Sequence, residues 1–312
     1  MKKNTVGTPY DDVFRTLLND CTSLIIPVLN EIFREHYNGN EPIEFLKNEH
    51  LINLQDTDTK EKITDSCFRI KGTKDKMYHI ECQSTADNSM MVRMFEYDSQ
   101  IALDEGEIVD GKLTVTFPHS AVLYLRHTKN TLDALALEIN TPGGSISYEV
   151  PVIKTQNYGI DEIFEKNLLF LLPFHIFAYE KKFAEYEADE KKLQELQMTY
   201  RDIRDRLEKL CTEGKISEYI KCTLIDMSKR VIGNIALRYA KVRKGVTAIM
   251  GGKVLEYEAK TILRDGIQKG RLEGINEGKI EAYVSLVKDG VLTVEDAAKR
   301  LDMKKEDFEK YL

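Results

Sequence analysis

A stretch of alternating residues between Ile63 and Ser84 constrains the fold of this chain more than any other part of the sequence. Its two halves, ITDSCFRI and MYHIECQS, are separated by a short polar segment around Gly72 and Thr73. Alternation with a period of two is typical of a β-strand, and two such runs joined by a short turn predict a β-hairpin. Successive side chains of a strand lie on opposite faces, so the hairpin has two chemically different faces.

One face of the predicted hairpin is apolar and the other carries polar groups. The apolar face contains Phe68, Ile70, Tyr78, Ile80 and Cys82. The opposite face contains Ile63, Asp65, Cys67, Met77, His79, Glu81 and Gln83. If the turn is centred on Thr73, the antiparallel register puts Asp65 opposite Glu81, with their Cβ atoms about 5 Å apart. Two carboxylates this close repel each other unless a cation lies between them, and hard divalent cations prefer oxygen ligands.

The pattern leaves a simpler interpretation open. Spacing alone does not distinguish a metal site from two solvated carboxylates on the open face of an ordinary sheet. Gln83 follows Glu81 by two residues and would lie beside a bound ion. His79 shares this face, where a single histidine is more often a structural residue than a ligand.

The pattern of Asp65, Glu81 and Gln83 resembles the PD-(D/E)XK nuclease superfamily, and neighbouring segments resemble its Rpn (recombination-promoting nuclease) and transposase-like branch. The segments that resemble this branch, in the same order, are DDVFRTLL at 11–18, RMFEY at 93–97, YEVPVI at 148–153, LLFLLPF at 168–174 and the glycine-rich run at 266–278. The resemblance therefore covers most of the chain. Two positions depart from the superfamily pattern: Gln83 replaces the more usual lysine, and Thr64 replaces the proline of the motif.

The resemblance implies a mixed α/β protein with a restriction-endonuclease-like αβββαβ core and a mainly helical C-terminal half. It also implies metal-dependent hydrolysis of DNA phosphodiester bonds, associated with recombination and mobile elements. Asp65 and Glu81 would hold Mg²⁺, or Mn²⁺ or Ca²⁺, together with the backbone carbonyl of Cys82. Gln83 would be the third catalytic residue, and no organic cofactor is implied.

Four further residues are candidates for supporting roles. In proteins of this fold the N-terminal helix often carries an acidic residue that points toward the metal, and Asp12 is the candidate for that residue here. Glu49, on the first strand, is an alternative candidate for the same role. Asp11 and Asp12 equally fit a capping pair at a helix start. Arg93 and Tyr97 share one helix face. They match an R-x-x-x-Y motif of the family and either contact substrate phosphate or pack beside the site.

The order of predicted elements agrees with such a core. The elements are two helical pieces at 11–35 with a break near 21–23, a strand at 44–54, the hairpin, a helix at 89–105, strands at 113–117 and 121–126, and a second hairpin joining 134–140 to 145–153. The helix at 89–105 is expected to pack on the apolar face of the first hairpin. Residues 1–155 should therefore hold the core.

The remainder of the chain has helical patterns. Residues 156–260 are predicted to be a helical extension for DNA binding or dimerisation, and 261–312 a glycine-periodic segment with a small helix-turn-helix-like tail. A short heptad seam fits either a helical hairpin or a homodimer contact. Its members are Leu196, Tyr200, Ile203, Leu207 and Leu210. Glycines every four residues from 266 to 278 indicate close helix contact or a loosely ordered linker, and Thr293 is a candidate N-cap.

Basic charge is concentrated in one segment of an otherwise acidic chain. The net charge is −7, so a surface that attracts nucleic acid has to be local. Residues 229–253 contain no acidic residue, and phosphate contacts are predicted there. The candidate contacts are Lys229, Arg230, Arg238, Lys241, Arg243 and Lys244. A solvated helical face is the alternative.

Localisation and redox state are also constrained. The N-terminus has a basic start with no apolar run behind it, and the longest apolar stretch, at 168–177, is too short to cross a bilayer. A cytoplasmic protein without membrane contact is expected. The cysteines are odd in number, scattered and not spaced as C-x-x-C, so they are expected to be reduced and mostly buried.

Two functions from different classes fit these patterns. One is the metal-dependent DNA endonuclease. The other is a catalytically weak or inactive protein that keeps the fold to bind nucleic acid or a protein partner, and the absence of the motif lysine favours it. No residue distinguishes DNA from RNA as the substrate.

Replacing Arg238, Lys241 and Arg243 with glutamine is expected to weaken DNA binding and to lower its salt dependence, because fewer phosphate charges are neutralised. The slope of log affinity against log salt, measured between about 50 and 200 mM, should fall in magnitude by about 2 to 3. A flat salt dependence in the wild type, or equal slopes for both proteins, would exclude this surface.

Overall fold

The computed structural model describes residues 9–46, 49–52, 60–63, 66–72, 74–86, 89–251, 266, 280, 282–288, 292–301 and 303–311. For residues 49–52 and 60–63 it describes the backbone only. The chain divides into two compact units, residues 1–252 and 253–312. The boundary predicted near residue 155 falls inside the first unit and stays a prediction.

A six-stranded mixed sheet is the centre of the first unit. The strands in chain order are β1 (Ile43–Phe45), β2 (Glu49–Ile52), β3 (Lys60–Ile63), β4 (Cys67–Ile70), β5 (Lys76–Gln83), β6 (Glu107–Val109), β7 (Lys112–Thr114), β8 (His119–Tyr124), β9 (Ala134–Thr141) and β10 (Gly144–Lys154). The sheet has the spatial order β1-β4-β5-β8-β10-β9, while β2–β3 and β6–β7 form separate two-stranded ribbons. The pairs β5–β8 and β8–β10 are parallel, and the others are antiparallel.

Helices flank this sheet and form the second half of the unit. They are α1 (Pro9–Asp20), α2 (Ile25–Phe33), α3 (Met90–Asp104), α4 (Ile160–Glu165), α5 (Phe183–Ala188), α6 (Glu190–Thr212), α7 (Glu218–Ile235) and α8 (Ala240–Ile249). Segments of 3₁₀-helix span Thr22–Leu24, Thr155–Asn157 and Leu169–Lys182. The mixed α/β class and the helical second half are confirmed.

The predicted register of the first hairpin is confirmed where the structure describes both arms. Cys67 pairs with His79, and Ile70 pairs with Lys76. One residue before Cys67, the side chain of Ser66 replaces the backbone in pairing with β5. Its Oγ donates to the carbonyl of Ile80 at 2.8 Å and accepts from the N–H of Ile80 at 3.1 Å. The chain therefore keeps the same register up to Ser66.

The two faces of the hairpin are both covered, by different helices. Phe68, Tyr78 and Ile80 on the apolar face belong to one large core with residues of α1 and α2. On the other face, Met90 and Met94 of α3 pack against β8 and the β9–β10 hairpin. The prediction that α3 packs on the apolar face is therefore wrong, because α1 and α2 already occupy that face.

Three strand predictions also need correction. Residues 44–54 do not form one strand: β1 pairs with β4, whereas β2 pairs with β3 in a ribbon. Ile63 belongs to this ribbon rather than to the hairpin, whose first described strand begins at Cys67. The strand predicted at 113–117 is reduced to β7, which pairs with β6 and is fully exposed. Alternation in the sequence does not reveal which strands pair with each other, and it therefore does not predict the two short ribbons β2–β3 and β6–β7.

Other elements agree with the predictions. The break between the first two helices lies at residues 21–24, and the second predicted hairpin is formed by β9 and β10, with Thr141 paired to Gly144. The five cysteines are reduced thiols, and Cys21, Cys67 and Cys82 are buried. No helix in the described ranges is both long enough and apolar enough to cross a membrane.

The heptad seam of α6 is used inside the chain. Leu196, Tyr200, Ile203 and Leu207 are buried in the large core, and Leu210 packs against it. The seam therefore packs within the chain, as the helical-hairpin alternative predicts, and is not exposed. A homodimer contact would need other residues. The homodimer itself stays a prediction.

The second unit contains a small helical cluster. Helices Val294–Arg300 and Lys305–Phe308 bury Ala297, Ala298 and Phe308 together. Thr293 is the predicted N-cap: its Oγ1 accepts from the N–H of Asp296 at 3.1 Å. Of the four periodic glycines, only Gly266 lies within the described residues, where it is helical.

His175 generates a prediction about acid stability. Its side chain is buried in the 3₁₀ segment, where burial lowers its pKa from 6.5 to about 4. Between these two values the unfolded chain binds a proton that the folded protein excludes. Stability should therefore fall as the pH decreases from 6.5 to 4, by about 3 kcal/mol from this residue. Urea unfolding of the wild type and of His175→Leu should show a steeper acid loss in the wild type, and parallel curves would contradict the prediction.

Candidate functional site

Glu81 lies near the end of the central strand β5, on the face that α3 covers. Its relative exposure is 3%, so the alternative of a solvated carboxylate on an open face is wrong for this residue. The neighbouring residue of β8 on the same side is Val122, which is fully buried. A carboxylate with little access to water requires hydrogen bonds or an opposite charge to remain ionised.

The imidazole of His79 provides both. Its Nε2 lies 3.1 Å from Oε1 of Glu81, and its Nδ1 lies 2.7 Å from Oδ1 of Asp98 on α3. All three side chains are buried. A neutral imidazole has only one N–H donor, whereas an imidazolium donates from both ring nitrogens. When both acids are ionised, His79 therefore satisfies them as an imidazolium held between the two.

The pKa of His79 agrees with this arrangement. Burial lowers it, but the hydrogen bonds that the ring makes to Asp98 and Glu81, together with their negative charges, raise it by more, and the net result is about 9. His79 is thus a structural residue, which is one of the two alternatives for a single histidine on this face. It is also in direct contact with Glu81, a candidate catalytic residue.

Asp98 continues the chain of polar contacts to a third element. Ser120 of β8 donates from Oγ to Oδ1 of Asp98 at 2.7 Å. The other oxygen, Oδ2, is buried and has no hydrogen-bond partner in the part of the chain that the structure describes. Burial and then the charge of Asp98 raise the pKa of Tyr148 on β10 to about 12. Asp98, on α3, therefore interacts electrostatically with a residue of β10 as well.

Gln83 and two residues of α3 border the Glu81–His79–Asp98 chain. Nε2 of Gln83 donates to Oε2 of Glu81 at 3.3 Å, and the ring of Tyr97 meets His79 edge-on with centroids 5.8 Å apart. Arg93, one turn before Tyr97, lies 3.6 Å from the sulfur of Met90 through Nη2. Of the two alternatives for this motif, Tyr97 packs beside the site; a phosphate contact by Arg93 stays a prediction.

The remaining candidates near the hairpin differ in what the structure shows. Asp65 and Thr64 lie outside the described residues, and for Glu49 only the backbone of β2 is described. Asp12 is exposed in the first turn of α1, a helix that packs on the face opposite Glu81. The side chain of Cys82 is buried in the apolar core. Their proposed roles stay predictions.

The basic segment lies on α7, α8 and the turn between them. Arg230, Arg238, Lys241 and Lys244 are exposed, whereas Lys229 and Arg243 are partly buried. Lys229 donates to the carbonyl of Gly251 at 2.7 Å. The N-terminus of α8 is occupied by Glu187, which accepts from the backbone N–H groups of Lys241 and Val242. Phosphate contacts would therefore come from the exposed side chains rather than from this helix end.

A metal site at Glu81 would depend on Asp65. Among the described residues, no group of three His, Cys, Asp or Glu side chains is arranged to hold a metal ion. Mg²⁺ is usually bound by one or two carboxylates together with water and substrate oxygens. The oxygen donors of Glu81, Asp65 and a backbone carbonyl fit that chemistry.

Comparison with known proteins adds no identification. No protein-family model matches the chain, and neither a curated protein nor a solved structure does.

Sequence reasoning missed Asp98 and Ser120. Met90, Met94, Asp98, Ile101 and Ala102 are the buried residues of α3, so an acid occupies a core position of an otherwise apolar stripe. That misplaced acid is a signal the sequence contains. Ser120 follows Pro118 at a strand start, and no pattern distinguishes it from an ordinary surface serine.

Replacing Asp98 with alanine is expected to destabilise the protein by about 3 to 5 kcal/mol, because it leaves the buried His79 cation without one of its two counter-charges. Urea unfolding at neutral pH measures this change. Asp104→Ala, which removes an exposed acid near the end of the same helix, should change stability by less than about 0.5 kcal/mol. Equal effects of the two substitutions would show that the buried charge pair contributes nothing.

Proposed function

We propose that this chain is a divalent-metal-dependent endodeoxyribonuclease with a PD-(D/E)XK-like core. The observation that carries the proposal is the register of the β4–β5 hairpin. Ser66 lies opposite Ile80, and the register predicted from the sequence would place Asp65, which lies outside the described residues, opposite Glu81. Gln83, which donates to Glu81, lies on the same face. This is the Asp, Glu-x-Gln arrangement that the resemblance implies.

The order of elements supports the same proposal. Helices α1 and α2 are followed by the antiparallel strands β1, β4 and β5, then by α3, and then by β8, which is parallel to β5. The order is α, three β, α and β. The β2–β3 ribbon is inserted between the first two strands, and the β6–β7 ribbon lies in the connection between α3 and β8.

The residues have distinct roles in this mechanism. Asp65, Glu81 and the backbone carbonyl of Cys82 would hold Mg²⁺ or Mn²⁺. When bound there, such an ion would supply an activated water molecule and would offset negative charge on the scissile phosphate. Gln83 orients the attacking water by hydrogen bonding, but as a neutral amide it supplies no positive charge. Slower hydrolysis than in a lysine-bearing site follows.

The exposed cations of α7 and α8 would bind the DNA backbone. Arg230, Arg238, Lys241 and Lys244 are exposed in an otherwise acidic protein, and phosphate binding by such groups is independent of sequence. A cytoplasmic homodimer associated with recombination or mobile elements is part of the proposal through the resemblance. Double-strand cleavage would require two such sites.

A second function has an observation of its own. Both carboxylate oxygens of Glu81 already accept hydrogen bonds, from His79 and from Gln83, so the folded protein does not need a metal to satisfy this group. A catalytically inactive protein that binds nucleic acid or a protein partner would have the same arrangement.

Nicking of supercoiled plasmid DNA decides between these functions. Wild-type protein is expected to nick with Mg²⁺ or Mn²⁺ and to stop in EDTA. Asp65→Ala and Glu81→Ala should each lower the rate by more than about 100-fold, because loss of a ligand costs more than the roughly 10- to 100-fold effect of an outer-shell group. Asp75→Ala, which removes an exposed acid from the same hairpin, is the matched control and should nick like the wild type.

Two other results would change the conclusion. Nicking that survives both Asp65→Ala and Glu81→Ala would place the active site elsewhere. DNA binding without metal-dependent nicking, in protein shown to be folded by circular dichroism, would favour the inactive binding protein.

A further inference from the structure

We propose that His79 and Asp98 are positioning residues that fix Glu81 so that it binds the metal through Oε2 alone. The role rests on the proposed function, because it requires Glu81 to be a metal ligand. It adds two residues that the nuclease motif does not contain.

The first step concerns the orientation of Glu81. His79 and Glu81 are two residues apart on β5, so their side chains leave the strand on the same face. Nε2 of His79 holds Oε1 of Glu81 at 3.1 Å. This oxygen is committed to a charge-assisted hydrogen bond. A metal ion would therefore bind through Oε2, the oxygen that faces Gln83.

The second step concerns what holds the imidazole. Nδ1 of His79 is 2.7 Å from Asp98 on α3, and the same oxygen of Asp98 accepts from Ser120 on β8 at 2.7 Å. Two strands and one helix therefore determine the position of one ring. His79 and Asp98 have no exposed surface, and Ser120 is 5% exposed, so the ring has no room to rotate. Rigid support of this kind keeps a ligand in its productive geometry.

The third step concerns why such a chain would be present. Replacing a buried ion pair with well-packed apolar side chains is often neutral or stabilising. The chain also leaves Oδ2 of Asp98 buried without a hydrogen bond among the described residues, which costs free energy. Stability alone does not explain a buried chain of polar side chains at this position, whereas fixing a ligand does.

The fourth step is the chemical consequence. Mg²⁺ requires near-ideal octahedral geometry and retains several water molecules. A carboxylate held at one oxygen binds such an ion in monodentate fashion and leaves coordination positions for water and phosphate. A freely rotating carboxylate could bind with both oxygens and occupy one more position.

Titration of the full-length, DNA-free protein with Mn²⁺ tests the role, with affinity measured by calorimetry. Asp98→Asn keeps the shape of the side chain and removes its charge, and it should weaken Mn²⁺ binding by about 10- to 100-fold. Ser120→Ala removes one hydrogen bond and should weaken binding by about 3-fold, with the fold intact. Ser228→Ala is the matched control, because Ser228 is also buried but bonds to Leu224 within α7, and it should bind like the wild type.

A further readout separates positioning from a merely structural role. Nicking by Asp98→Asn should recover when Mn²⁺ is raised above its weakened dissociation constant, whereas Glu81→Ala should not recover.

Two outcomes would overturn the proposal. If the wild type binds Mn²⁺ and both Asp98→Asn and Ser120→Ala bind it equally well, the positioning role fails while the nuclease proposal stands. A wild type that binds no Mn²⁺ and does not nick DNA would refute the proposed function itself, and the positioning role with it.

Discussion

The imidazole of His79 lies between two carboxylates in a part of the molecule from which water is almost excluded. A charge in such a place is tolerated only when each donor has an acceptor and each acid has a counter-ion. That requirement ties β5 to α3 through Asp98 and α3 to β8 through Ser120. The orientation of Glu81 therefore depends on this one imidazole ring.

The two faces of the sheet differ: one packs against the main apolar core, and the other carries the candidate site. Its apolar face packs against α1 and α2 and is part of a core that continues into α6, α7 and α8. Its other face has a smaller apolar cluster around Met90 and Met94 and, beside it, the buried polar chain. The large core on the opposite face is the main source of stability. The fold can therefore tolerate Oδ2 of Asp98, which has no hydrogen-bond partner among the described residues. As a result Glu81, the candidate metal ligand, is buried and yet lies near the end of a strand.

Several features of the site were predictable from the sequence, and the reasons are local. Alternation in the hairpin predicts which residues share a face, and a turn centred on residue 73 predicts that Cys67 pairs with His79. Thr293 is recognisable as an N-cap because capping depends on neighbours three residues away. The heptad seam of α6 likewise predicts which side chains are buried, although it does not reveal whether the partner is the same chain or a second copy.

Other features depend on contacts that local patterns do not encode. Asp98 is 19 residues from His79, and Ser120 is 22 residues from Asp98. The sequence alone identifies α3 as amphipathic, but both faces of the hairpin offer apolar area to it. In the folded protein α1 and α2 cover the apolar face, which leaves the other face for α3.

The sequence by itself determined the mixed α/β class, the two-faced hairpin with its register, and the set of acids from which a metal site is proposed. These follow from side-chain periodicity and turn position, which are properties of neighbouring residues. The tertiary structure decided that Glu81 is buried, that His79 lies between Glu81 and Asp98, and that Ser120 holds Asp98. Burial and charge pairing are set by which elements pack together, because only packing excludes water and brings distant ionisable groups within hydrogen-bond distance.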